Sequence, residues 1–180
     1  EAPSALLAVS GADLVLLAVP VSATEATFKA IRHLVRGDVL IMDVGSTKRE
    51  VIDAARRVLK DQVGVFVPAH PIAGKEVAGV EHADADLYHG RQVILTPIER
   101  TLTAQLDKAK QLWTALGCDV KQMSPEAHDA AYAMRAVVVH GFAIHKYLMQ
   151  IGEKTVMYNT AHGKIGDLAN AVFIDGAALL

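Results

Sequence analysis

The sequence predicts an α/β fold in which a largely parallel, doubly wound sheet is covered by helices on both faces. Short apolar runs recur along the first two thirds of the chain, and segments of helical periodicity lie between them with short connections. These runs are continuous rather than alternating, which is typical of parallel strands buried on both faces. The last third of the chain lacks this alternation.

The first strand is predicted at residues 14–19, where an apolar run ends at Pro20. Ser22 is expected to be a helix N-cap, with Glu25 three residues later completing a capping box. The helix is expected to stop before Gly37, because glycine readily ends helices. This segment therefore predicts one strand-to-helix unit of the sheet.

The remaining elements continue this alternation. We expect strands at 39–44, 63–67 and 91–96, helices at 47–60 and 101–116, a short edge strand at 119–123, and a long helix starting at Ser124 and Pro125. The tail that follows is expected to be helical. The chain thus divides into an α/β domain over residues 1–123 and a helical segment over 124–180.

Composition excludes several classes of function. The formal net charge of the 180 residues is −2, which gives no electrostatic footprint for nucleic acid or for an acidic membrane surface. The single cysteine, Cys118, excludes an internal disulfide framework and fits a reducing compartment. No apolar run reaches the roughly 18 residues of a membrane span, and no signal peptide is evident. We therefore expect a cytoplasmic protein without membrane or nucleic-acid partners.

The stretch from His70 to Glu76, His-Pro-Ile-Ala-Gly-Lys-Glu, directly follows the third apolar run. Ligands of open α/β sheets bind at the carboxyl ends of the strands. A histidine there is suited to proton transfer, because its unperturbed pKa lies near neutrality. This motif alone leaves open the alternative of an ordinary strand-to-loop turn with a solvated histidine.

Other sequence motifs surround this stretch in a specific order. They are Asp-Val-Gly-Ser-Thr-Lys at 43–48, Arg-Gln-Val-Ile-Leu-Thr-Pro at 91–97, and Met-Ser-Pro-Glu-Ala-His-Asp at 123–129. With this spacing the chain resembles the prephenate/arogenate dehydrogenases of tyrosine biosynthesis, from about residue 14 to about residue 134. The resemblance implies a Rossmann-like dinucleotide-binding domain that uses NAD or NADP. It also implies oxidative decarboxylation of prephenate or arogenate, and a homodimer formed through the C-terminal helices.

The resemblance also assigns residues of the reaction. His70 is the histidine that polarises the substrate hydroxyl. Ser46 is its expected partner and would hydrogen-bond the hydroxyl, the histidine or the nicotinamide region. A helix N-cap just before Thr47 is the ordinary interpretation of Ser46, and the two roles are compatible.

The remaining assignments concern the cofactor and the substrate entrance. The turn containing Val19 and Pro20 should lie under the ribose or nicotinamide of the cofactor, and Gly45 should give backbone access beside Ser46. Gly74, Glu76 and His140 are expected near the substrate. An exposed loop carboxylate is the alternative for Glu76.

The chain departs from the family pattern at two places. It has no Gly-x-Gly-x-x-Gly turn to hold a pyrophosphate at a helix N-terminus, so we expect the N-terminal portion of the domain to be missing and this chain alone to be inactive. In the helix after residue 124, Val137 replaces a motif histidine, and only His140 of that motif remains. The downstream arginine that would bind a substrate carboxylate is not recognisable.

Other polar and aromatic residues are expected to be structural. We expect Lys48 to be a solvated first-turn lysine and His128 to be a surface residue. No metal site is expected from His82, His89 and the acidic residues between them, because their spacing is not a strong ligand pattern. Three aromatic residues are expected to serve packing, namely Phe66, Tyr88 and Trp113.

Two rival functions remain open. Another dehydrogenase of the β-hydroxyacid type would use a lysine on the linking helix, and Lys146 is too isolated to support that. The other rival is a non-catalytic dimerising or regulatory module that keeps the fold. Val137 favours this function, and the intact sequence motif at His70 opposes it.

Overall fold

A computed structural model describes residues 9–35, 37–73 and 83–132, and the backbone of 157–159 and 170–175. Its strands are β1 (Leu14–Ala18), β2 (Leu40–Asp43), β3 (Phe66–Val67), β4 (Ala69–Pro71), β5 (Gln92–Leu95), β6 (Asp119–Gln122), β7 (Met157–Asn159) and β8 (Asn170–Asp175). Its helices are α1 (Val21–Ile31), α2 (Arg49–Leu59), α3 (Thr103–Ala115) and α4 (Pro125–Tyr132), with a 3-10 helix at Lys60–Val65.

The main sheet has the strand order β3-β2-β1-β8-β7. Strands β3, β2, β1 and β8 are parallel, and β7 is antiparallel to β8. Strand β2 is buried throughout and β1 up to its last residue, as their continuous apolar runs predict. The predicted α/β fold with a parallel sheet is confirmed.

Alternate side chains of β1 enter two separate cores, one on each face of the sheet. Leu14 and Leu16 pack in the core that contains Trp113 of α3. Val15 and Leu17 pack in the other core, with residues of α1 and α2 such as Phe28. Helices therefore cover both faces, and Phe66, Tyr88 and Trp113 are buried in these cores as expected.

The strand at residues 91–96 was expected in the same parallel sheet, and that expectation is wrong. It forms β5 in a second sheet of order β4-β5-β6, in which His70 of β4 pairs with Ile94 in antiparallel register. The cause is Pro68, which follows β3 and has no N–H to donate to a continuing ladder. Its carbonyl instead accepts a hydrogen bond from the amide of Thr96, at 3.0 Å.

Two other details of the predicted elements are corrected. Residues 63–65 belong to the 3-10 helix rather than to the third strand. Helix α1 begins at Val21 after an extended Pro20 and has no side-chain cap, so Ser22 is not its N-cap. Glu25 forms no capping box and instead pairs with Arg57 of α2 at 2.7 Å.

The C-terminal part of the chain differs from the helical expectation at two places. Residues 157–159 and 170–175 are strands, and β8 extends the main sheet beside β1. The sequence of β8, Asn-Ala-Val-Phe-Ile-Asp, contains β-branched and aromatic residues that favour strands. The helix that begins at Pro125 is described as far as Tyr132, and its expected continuation lies outside the described residues.

Among the described helices, none combines the length and the apolar character that crossing a membrane would require.

Gly64 lies where the 3-10 helix passes close to the loop before α3. A Cβ added there would lie 2.9 Å from the carbonyl oxygen of Arg100 and 3.1 Å from the side chain of Leu102. The amide of Leu102 also donates to the Gly64 carbonyl at 2.9 Å, so the backbone cannot move away freely. We expect Gly64→Ala to lower the free energy of unfolding by about 1–3 kcal/mol, measured by urea denaturation.

The matched control is Thr114→Ala on the exposed face of α3, which should change stability by less than about 0.5 kcal/mol. Equal midpoints for the two variants would contradict the close approach at Gly64.

Candidate functional site

Asp43 joins the carboxyl end of β2 to the start of β4. It is 3 % exposed, and its carboxylate accepts hydrogen bonds from the amides of Gly45, at 2.9 Å, and Ala69, at 3.2 Å. A buried carboxylate is stable only when it is paired and hydrogen-bonded. These bonds hold the loop after β2 against the strand that carries His70.

Lys48 supplies the cation that pairs with Asp43. Its ammonium group donates to the Asp43 carboxylate and to the carbonyl of Ala69, the latter at 2.6 Å. The side chain is fully buried, so the expectation of a solvated first-turn lysine is wrong. Burial lowers the pKa of Lys48, and the neighbouring carboxylate of Asp43 opposes that shift.

His70 lies in β4 and is 1 % exposed. Its Nδ1 is 2.8 Å from Nε2 of His128, and its own Nε2 is buried without a hydrogen-bond partner in the described structure. Burial, then the positive charge of Lys48, then His128 lower the pKa of His70 to about 3. His70 is therefore a neutral imidazole near neutral pH.

His128 and Asp129 approach this strand from the first turns of α4. The helix begins as predicted, with the hydroxyl of Ser124 accepting from the amide of Ala127 at 3.1 Å and Pro125 in the first turn. This start turns His128 inward to full burial, so the expectation that it is a surface residue is wrong. Its Nδ1 lies 2.8 Å from Oδ1 of Asp129.

Asp129 also binds the N-terminus of α2. Its two carboxylate oxygens accept from the amides of Lys48, at 2.9 Å, and Arg49, at 3.0 Å. Burial raises the pKa of Asp129, but the Arg49 amide, the hydrogen bond with His128 and the Lys48 amide together hold it below its ordinary value. Asp129 is thus an ionised carboxylate held in one orientation.

Tyr132 closes the cluster one turn further along α4. Its ring stacks on His128 with a centroid distance of 5.1 Å and meets the ring of His70 edge-on at 5.8 Å. Its hydroxyl donates to the side-chain oxygen of Gln92 in β5, at 3.0 Å. These contacts keep α4 against the second sheet and limit the rotation of both imidazoles.

The predicted cofactor residues lie at the same edge of the main sheet. Val19 and Pro20 follow β1, and the half-buried Ser46 follows β2 in the loop that Asp43 holds. A Cβ on Gly45 would be 3.7 Å from the side chain of Val21, so the two loops adjoin. Gly74, Glu76 and His140, predicted to contact substrate, lie outside the described residues.

The structure brings together polar residues for which the sequence predicts no functional role, namely Asp43, Lys48, His128 and Asp129. One signal was present in the sequence. The short apolar run of β2 ends in an aspartate, which in a buried strand needs a cation nearby. Within the described residues, no group of three or more His, Cys, Asp or Glu side chains is arranged to hold a metal ion.

Comparison with known proteins identifies the family. Residues 1–122 match the family model described as prephenate dehydrogenase, nucleotide-binding domain. The chain is 36 % identical over 136 residues to the cyclohexadienyl dehydrogenase of Zymomonas mobilis, covering 76 % of this chain and 46 % of that protein. It is also 36 % identical over 130 residues to the prephenate dehydrogenase of Bacillus subtilis, covering 72 % of this chain and 35 % of that protein. The chain thus spans less than half the length of these relatives.

Solved structures agree with this match. The prephenate dehydrogenase of A. aeolicus in complex with hydroxyphenyl propionate and NAD+ aligns with a TM-score of 0.63 and 32 % identity, covering 78 % of this chain and 49 % of that one. The Synechocystis arogenate dehydrogenase aligns with a TM-score of 0.64 and 25 % identity, covering 71 % of this chain and 44 % of that one. The chain therefore belongs to the prephenate dehydrogenase family of oxidoreductases and carries its nucleotide-binding domain.

Proposed function

We propose that this protein catalyses the NAD-dependent oxidative decarboxylation of prephenate or arogenate. The observation that carries the proposal is His70, a buried neutral imidazole beside the loops predicted to bind the cofactor, whose Nε2 has no hydrogen-bond partner among the described residues. An acceptor of this kind matches a reaction in which a hydroxyl is drawn toward a carbonyl. The relatives named above support the same reaction class.

The chemistry divides between the cofactor and the protein. When bound, NAD supplies the acceptor for the hydride that leaves the ring carbon bearing the hydroxyl. The electrons of the bond to the departing carboxylate enter the ring, which becomes aromatic as carbon dioxide leaves. Nε2 of His70 accepts a hydrogen bond from the hydroxyl and takes up its proton as charge develops, and it returns the proton to the phenol of the product.

Several residues would hold the reactants around His70. Val19, Pro20 and Gly45 would lie along the cofactor, since they follow the carboxyl ends of β1 and β2. Ser46 would hydrogen-bond the substrate hydroxyl or the nicotinamide region. The buried pair of Lys48 and Asp43 would keep this loop fixed relative to β4.

NADP would be the alternative to NAD as the cofactor, and arogenate would be the alternative to prephenate as the substrate. Gly74, Glu76 and His140 would contribute to the substrate side. The dimerisation region of a homodimer would lie within residues 124–180, from which strand β8 joins the main sheet of the α/β domain.

The experiment uses a protein that also carries the Gly-x-Gly-x-x-Gly turn, because the chain without that turn is expected to be inactive. It compares prephenate and arogenate, each with NAD and with NADP, and follows the absorbance of the reduced nicotinamide together with release of carbon dioxide. We expect turnover with at least one substrate and one cofactor. Folded protein that produces neither signal with any of the four combinations would contradict the proposal. That result would favour a non-catalytic module, to which Val137 in place of a motif histidine points.

A further inference from the structure

We propose that His128 and Asp129 are positioning residues that hold His70 with its hydrogen on Nδ1, so that Nε2 is the proton acceptor. The geometry is a linear series of hydrogen bonds. Asp129 Oδ1 lies 2.8 Å from His128 Nδ1, and His128 Nε2 lies 2.8 Å from His70 Nδ1. The series ends at Nε2 of His70, which has no hydrogen-bond partner in the part of the chain that the structure describes. This inference rests on the proposed function of His70.

Whether each ring nitrogen carries a hydrogen follows from whether its neighbour can donate or accept a hydrogen bond. An ionised carboxylate only accepts hydrogen bonds, so His128 must carry its hydrogen on Nδ1. A neutral His128 then has a lone pair on Nε2, which can only accept. His70 must therefore donate from Nδ1, and its Nε2 is left with the lone pair.

The alternative is a doubly protonated His128 that donates to His70, which would leave the hydrogen on Nε2 of His70. The surroundings disfavour that charged state. His128 is fully buried, and burial lowers its pKa although the hydrogen bond to Asp129 opposes the shift. The ammonium of Lys48, already paired with Asp43, adds to the lowering.

The carboxylate at the start of the series is itself immobilised. The amides of Lys48 and Arg49 at the N-terminus of α2 bind its two oxygens. Tyr132 stacks on the ring of His128 and contacts the ring of His70. Neither imidazole ring can flip without breaking these contacts, so the cluster selects both the tautomer and the orientation of His70. Aspartate performs the same task for histidine in Ser-His-Asp triads.

Two variants of His128 separate the roles of its acceptor nitrogen and of its ring. His128→Phe keeps an aromatic ring against Tyr132 but cannot accept from His70. His128→Gln can place its side-chain oxygen near the position of Nε2 and accept the same hydrogen bond. In His128→Phe, His70 should no longer be held in its Nδ1–H form. In His128→Gln, His70 should keep that form.

The primary measurement is the nitrogen–proton spectrum of the histidine side chains in the folded full chain without ligand. We expect His70 to carry its hydrogen on Nδ1 in the original protein and in His128→Gln, and to shift toward the Nε2–H form in His128→Phe. A hydrogen on Nε2 of His70 in the original protein would overturn the inference. So would an unchanged Nδ1–H form in His128→Phe. If the phenylalanine variant does not fold, the original protein and His128→Gln still decide the matter.

Kinetics supply a second readout in the active protein. We expect His128→Phe to lower kcat by about 10²–10⁴-fold with a much smaller change in KM, and His128→Gln to recover most of that loss. The two proposals can fail separately. The predicted tautomer without dehydrogenase turnover would contradict only the proposed function, and turnover with the hydrogen on Nε2 would contradict only this inference.

Discussion

Replacing His70 with asparagine is expected to lower kcat by about 10²–10⁴-fold while changing KM for the substrate much less. The reason is that the hydrogen bond at Nε2 strengthens only as the hydroxyl loses its proton, so it contributes to the transition state more than to substrate binding. Asparagine is small enough to be accommodated in the buried site between β4 and α4 and can still bond His128. Steady-state kinetics with prephenate or arogenate measure both constants.

The control is His33→Asn, because His33 is exposed in the turn after α1. It should leave both constants unchanged. Near-normal kcat in His70→Asn would show that His70 is structural.

If His70 is the proton acceptor, its pKa determines how the activity of the unsubstituted protein depends on pH. The pKa of His70 is lowered to about 3 from 6.5, by burial first and then by Lys48 and His128, while Asp129 opposes the shift. A base with a lowered pKa remains unprotonated until the pH falls to that value. We therefore expect kcat/KM not to fall through protonation of His70 as the pH passes the ordinary histidine value. A loss centred there that disappears in His70→Asn would contradict the neutral buried imidazole.

The fold could be predicted from the sequence because its signals are local. Strands β1 and β2 are continuous apolar runs, and Gly37, in the left-handed region at φ 71°, lies just after the turn that follows α1. The expectation that His70 and Ser46 share one edge of the sheet follows from the rule that ligands bind where parallel strands end. The second sheet could not be predicted this way, because the apolar run of β5 resembles those of β1 and β2 in the main sheet. The separation of the two sheets depends on Pro68, which follows β3 and whose carbonyl accepts from the amide of Thr96.

The interior of the site depends on contacts that no local pattern contains. Lys48 stands where a first-turn lysine is usually solvated, and it is buried because Asp43 and the carbonyl of Ala69 lie over it. His128 occupies the first turns of a short helix, where polar residues usually face water. It is buried because Asp129, its neighbour in the sequence, binds the N-terminus of α2 and so fixes α4 there.

The buried pair of Lys48 and Asp43 is expected to have the largest effect on stability. Removing the ammonium in Lys48→Met should lower the free energy of unfolding by about 3–5 kcal/mol, because the carboxylate of Asp43 would remain buried and, among the described residues, would keep just the amides of Gly45 and Ala69 as partners. Asp43→Asn should be of similar cost, since it leaves the cation of Lys48 without its counter-charge. Urea denaturation of the full chain measures each loss.

The double variant tests whether these costs come from an uncompensated charge. Lys48→Met combined with Asp43→Asn leaves no buried ion, so it should be less destabilised than the sum of the single variants by more than about 1 kcal/mol. The exposed pair of Arg56 and Glu99, with N–O 3.2 Å apart, is the matched control. Its Arg56→Met variant should lose less than about 1 kcal/mol, because solvent screens an exposed ion pair. Two results would contradict this account: a loss of stability in Lys48→Met no larger than that in Arg56→Met, or a loss in the double variant equal to the sum of the two single losses. Either result would mean that Lys48 does not hold Asp43. The loop beside His70 would then be fixed by its backbone hydrogen bonds alone.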